Sequence, residues 1–167
     1  MEWIVIVAFI LAVMILIWLK DKLWEVANKG IFRRGDYNRG RLLKASPLHF
    51  RTTGPVREVR DWILGHLRLE PSRPSAVAGY YIVGQDAETT RIAFGALVGG
   101  DQLTFDLDVV QDGVHTVGTV ELMAWKESDG VMTRPKALEE VFNDVESAIR
   151  RADPSATVEN PVAVRRG

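Results

Sequence analysis

The chain has 167 residues, a formal net charge of −1 at pH 7 and no cysteine. That length supports one domain with a core of its own plus a shorter additional segment. Near-neutral charge and the lack of a base-stacking module argue against a nucleic-acid partner, and the missing thiols exclude disulfides, thiol nucleophiles and cysteine-ligated metals.

The first predicted element is an apolar helix. Residues 3–19 are apolar without exception, and 17 residues make a helix of roughly 25 Å, close to the ~30 Å hydrocarbon core of a bilayer. Trp3, Trp18 and Trp24 sit near its two ends, where indole rings favour the headgroup zone, and Ile10 sits at its centre. Glu2 precedes the run and bulky residues close it, unlike a cleaved export signal. An amphipathic surface helix would show charges on one face, and this run has none. The reading is therefore a retained transmembrane anchor over residues 1–19.

Residues 20–47 follow as a basic juxtamembrane segment, in which Lys20, Lys22, Lys29, Arg33, Arg34, Arg39, Arg41 and Lys44 face only Asp21, Glu25 and Asp36. The positive-inside rule then places the N-terminus outside and all later residues in the cytoplasm of a single-pass membrane protein. Gly30, Gly35 and Gly40 recur every five residues and discourage a continuous helix. The segment reads as a tether on the inner leaflet, where each cation contributes about 1 kcal/mol near anionic lipid. A topology signal with no lipid contact is the plainer reading.

Residues 48–153 are expected to form a cytoplasmic α+β domain. Residues 48–52 alternate apolar and polar as a short strand before Gly54-Pro55, and Val56, Val59, Ile63 and Leu67 then share one helical face that should end near Leu69. Four strands are predicted at 77–83, 90–98, 103–110 and 114–125, separated by turn-forming Gly and Asp clusters too short for crossover helices, so they run antiparallel as a meander. Thr133 is a candidate cap and Pro135 a candidate first residue for the last helix, with Leu138, Val141, Phe142, Val145, Ala148, Ile149 and Ala152 on one stripe. Residues 154–167 lack periodicity and read as a flexible tail. One apolar sheet face and two amphipathic helices give a two-layer sandwich.

The order strand, proline turn, helix, meander and long final helix, with His49-Phe50-Arg51-Thr52-Thr53-Gly54-Pro55-Val56 at its start, resembles a reduced START-like or polyketide-cyclase-like (SRPBCC, helix-grip) domain. That resemblance implies a curved sheet gripping the last helix and a cavity for a lipid or small apolar molecule, which Phe105, Leu107, Phe142 and Val145 would line.

Chemistry-bearing residues are sparse. His49, His66 and His115 show no metal-ligand spacing, Asp106 and Asp108 point the same way from a solvated strand face, and no phosphate loop or nucleophile elbow occurs. No catalytic residue, metal or cofactor is expected. The strand at 90–98 is apolar on both faces, so Phe94, Leu97, Met123 and Trp125 read as an apolar patch on the uncovered side of the sheet, a contact surface for a protein partner or for a second copy. Arginine outnumbers lysine and alanine, valine and glycine are plentiful, a bacterial GC-rich composition. The functional expectation is a non-enzymatic, membrane-anchored adaptor at the cytoplasmic face of a bacterial membrane; the alternative is a membrane-tethered binder of lipid or an apolar small molecule.

Overall fold

The computed structural model describes residues 2–27 and 34–163, and of residues 2, 4–8, 12, 25–27, 34 and 36 the backbone alone. The elements in chain order are α1 (Glu2–Ala27), α2 (Arg34–Ala45), β1 (Leu48–Thr52), α3 (Val56–His66), β2 (Leu69–Glu70), β3 (Gly79–Gln85), β4 (Thr89–Ala96), β5 (Gly100–Asp112), β6 (His115–Trp125), β7 (Glu127–Ser128), β8 (Val131–Met132), α4 (Pro135–Ala152) and β9 (Thr157–Glu159).

The first expectation to fall is the transmembrane anchor. Among the described residues no helix is long and apolar enough to cross a membrane. Helix α1 is 26 residues long, and Lys20, Asp21 and Lys22 follow its apolar stretch directly. The span at 1–19 and the single-pass arrangement built on it are corrected accordingly.

The fold is α+β, and its sheet is larger than a four-strand meander plus β1. Seven strands run in the order β2-β3-β4-β5-β6-β1-β9, and β7 and β8 form a separate hairpin. All neighbours in the large sheet are antiparallel except β2 and β3, which makes it a mixed sheet. β1 lies beside β6, so the first strand of the domain flanks the last strand of the meander. Strands β2 and β9 have two and three residues, too short to show a period in the sequence. Residues 157–159, read as part of an unstructured tail, thus form an edge strand, and Asn160 and Val162 beyond them are buried.

Alternation along the strands sorts the sheet into two faces. Across one face run Ile92, Phe105 and Leu122, and beside them Leu107, Val120 and Leu48, paired in register and buried. Helices α3 and α4 cover this face. α4 buries Leu138, Val141, Phe142, Val145, Ala148 and Ile149 of the stripe that the helical period predicts, while Ala152 at its end is exposed. Its start differs in detail: Arg134 is the N-cap residue without a side-chain cap, while the Thr133 hydroxyl lies 3.2 Å from Gln102 Oε1 and donates to the Lys126 carbonyl at 3.1 Å. α3 ends at His66, three residues before the expected stop, and the Leu67 N–H closes it on the Ile63 carbonyl.

Three irregularities break the ladder. Val83 of β3 lies between the pairs Ile82–Ile92 and Gly84–Arg91, Gln102 of β5 lies between Leu103–Phe94 and Asp101–Gly95, and Met123 of β6 lies between Leu122–Phe105 and Ala124–Thr104. Each extra residue turns the strand locally and moves its neighbours off strict alternation.

The buried carboxylate of Asp153, the C-cap residue of α4, joins three parts of the chain. It accepts from the Thr52 hydroxyl at 2.7 Å, from the Thr53 N–H and hydroxyl at 3.0 Å each, and from the Ser155 N–H at 2.9 Å and hydroxyl at 2.5 Å. The end of β1, the end of α4 and the approach to β9 are pinned together. These donors, that of Ser155 foremost, hold the Asp153 carboxyl well below the usual carboxylate range.

Phe142 is fully buried, so Phe142→Ala should cost about 3 to 5 kcal/mol in denaturant unfolding. Because the folded state depresses the Asp153 pKa, its contribution is complete above the unfolded carboxylate pKa near ~3.9 and is lost as pH falls below it. Asp153→Asn should therefore lower stability by about 1.5 to 3 kcal/mol near neutral pH and flatten the acid limb of a Tm-versus-pH curve.

Candidate interaction surfaces

The far face of the sheet is polar. Thr89, Asp108, Thr119, His49 and Glu159 stand opposite one another in a row across β4, β5, β6, β1 and β9, and Arg91, Asp106 and Glu121 form a second row. Arg91 grips Asp106 through two bonds, Nε at 2.8 Å and a terminal nitrogen at 2.7 Å, while the Thr89 hydroxyl donates to Asp108 at 2.5 Å. The two aspartates share a face as the alternation implies, but each has its own partner. A shallow cavity of about 390 Å³ opens on this face, lined in part by His49, Arg51, Asp108, Val117 and Thr119.

The three histidines remain apart. His49 Nδ1 lies 3.2 Å from Thr119 Oγ1, His66 ends α3 and His115 begins β6. Among the described residues no group of three or more His, Asp or Glu side chains is placed to hold a metal ion.

Phe94, Leu97, Met123 and Trp125 do not share one surface. Phe94 is paired with Leu103 on the helix-covered face, its ring 4.8 Å from that of Tyr80. Trp125 is paired with the same Leu103, carries Lys44 Nζ at 4.4 Å from its ring centroid and donates from its indole nitrogen to Glu127 at 2.7 Å. Leu97 projects from the β4–β5 turn, 70% exposed, and Met123 occupies the β6 bulge, 48% exposed. Adding residues in strict alternation places Met123 and Trp125 together; the bulge separates them.

Phe105, Leu107, Phe142 and Val145 do come together, in the centre of the core, and all have 0% exposure. A water-sized space against any of them would leave it some accessible surface.

The basic segment folds where its glycines argue against it, since α2 contains both Gly35 and Gly40. Tertiary contacts outweigh propensity here. Leu43 enters the main core, Arg39 pairs with Glu139 of α4 at 2.6 Å, and Lys44 pairs with Glu127 of β7. Gly40 supplies the close approach, since a Cβ there would stand 3.0 Å from the Met132 Cβ. Of the cations assigned to lipid, Arg39 and Lys44 thus serve the fold, Arg41, Lys20 and Lys22 are exposed, and Lys29, Arg33 and the side chain of Arg34 lie outside the described residues.

Of the proposed anchor residues, Trp3 is 79%, Ile10 51%, Trp18 61% and Trp24 58% exposed. The described apolar side chains of α1 are all exposed, from 38% at Val13 to 79% at Trp3. Among the described residues this is the largest concentration of exposed apolar groups.

A side chain at Gly40 must push Met132 aside, so Gly40→Val should loosen α2 and speed tryptic cleavage at Arg41 and Lys44 several-fold, with the far-UV signal of the sheet retained. No protein-family model and no curated protein matches the chain.

Proposed function

We propose that the chain is a non-enzymatic docking module: a folded α+β body with an apolar arm, α1, that is covered by a protein surface, in the simplest case the α1 of a second copy. The exposed apolar side chains of α1 carry this reading, because the core of the body closes without them and an apolar surface of that extent marks an interaction site. The far sheet face adds support, since Arg91, Asp106, Thr89 and Asp108 are spent on one another and do not converge on a common point.

The likeness to helix-grip domains draws support from the Pro55 turn into α3 and from α4 packed across the sheet. An apolar ligand in the grip has less support, because Phe105, Leu107, Phe142 and Val145 fill the space assigned to it.

The 167-residue chain, with a monomer mass of 18.7 kDa, should sediment as an assembly of two or more copies, and Leu16→Glu should shift most of it to the monomer. A monomeric wild type that floats with lipid vesicles would overturn the protein-covered arm in favour of a lipid surface.

A further inference from the structure

A groove of about 660 Å³ lies where the end of α3, the outer strand β3 and α4 meet. Its size falls in the range of small-ligand sites, about 300 to 1,000 Å³. Two aromatic rings line it, Tyr80 and Phe94, both partly exposed and tilted at 47° with centroids 4.8 Å apart. The Tyr80 hydroxyl donates to the Ala137 carbonyl of α4 at 2.7 Å, which fixes its ring.

Four charge-bearing side chains border these rings: Glu140 and Asp144, one helical turn apart on α4, and His66 and Arg68 from the end of α3 and the residues after it. Among the described residues none of the four side chains makes a hydrogen bond or ion pair, in contrast to the paired charges of the far sheet face. Two carboxylates outnumber the one guanidinium along the groove. Both carboxylates act on the Tyr80 hydroxyl, so their field converges where the ring lies; burial, first, and these two charges push that hydroxyl upward.

The geometry points to a binding site for an organic cation, an ammonium or guanidinium on an apolar stem, whose stem lies on Tyr80 and Phe94 and whose charge is met by Glu140 and Asp144. A cation over an aromatic face is attracted by the ring quadrupole, more so as water is excluded, and charge-assisted hydrogen bonds to two carboxylates add to it. Metal ions fit this groove poorly, since a hard cation gains nothing from an apolar floor. The site is separate from α1 and stands whether or not that arm self-associates.

Calorimetric titration of the full chain with butylguanidinium, pentanol and pentanoate tests the charge requirement, and amide shifts at Tyr80, Phe94 and Asp144 locate the response. Butylguanidinium should bind saturably with shifts confined to the groove, and the alcohol and the carboxylate should not. Glu140 and Asp144 are exposed, so the E140Q/D144N double variant should keep its Tm while losing about tenfold or more in affinity. A peptide with a single arginine that binds more tightly than the free cation identifies a protein-borne source, and equal affinity identifies a small molecule. Equal response to pentanol, no saturable response, or unchanged affinity in the double variant would overturn the proposal.

Discussion

Burial of the α4 stripe against β4, β5 and β6 is the constraint on which the body of this protein depends. The strands supply two registered apolar rows, and α4 supplies Leu138, Val141, Phe142, Val145 and Ile149 at the spacing that meets them. Neither surface is stable alone in water, and each removes the other's exposure. α3 and α2 then add Val59, Ile63 and Leu43 to the same core, so the packing of the last helix decides whether the earlier ones have a place to dock.

Around that core, polar groups fix the ends of elements. Asp153 gathers five donors where β1, α4 and the approach to β9 meet, and a β-edge at the far side of the sheet is held by Tyr81 and Arg73, which both donate to Asp101. The charged row on the uncovered face works in the same way through Arg91 and Asp106. These groups specify geometry. What they leave over is an apolar arm at one end of the chain and a groove of uncompensated charge between α3, β3 and α4.

Much of the body is legible in the sequence. Strict alternation from Leu103 to Val109 places β5 and its two faces, and the helical period of Leu138 to Ile149 places α4 and its buried stripe; the polar face of β5 is drier than alternation implies, since Asp106 is buried beside Arg91. Strands β2 and β9 are not legible because two or three residues carry no period, and their pairing is decided by neighbours distant in sequence. α2 is hidden for the opposite reason: Gly35 and Gly40 signal against a helix, and the contacts that override them, Met132, Glu139 and Glu127, lie about ninety residues away. The apolar run of α1 is plain, but a run of apolar residues does not by itself state what covers it. The groove is hidden in the sequence because the pattern assigns Phe94 to an apolar patch on the uncovered face and nothing in it sets Tyr80, Glu140 and Asp144 nearby; only the fold places them around one space.

The bulge at Val83 has a wider effect. β2 covers only Tyr80 and Tyr81 of the outer strand β3, which leaves the rest of that margin without a ladder partner in the sheet. A straight, apolar margin with Ile82 and Val83 on show would invite endless strand addition from neighbouring chains, the first step towards insoluble fibres. The extra residue twists the backbone out of the flat geometry such growth requires, so an irregularity of one amino acid works against strand addition at this margin.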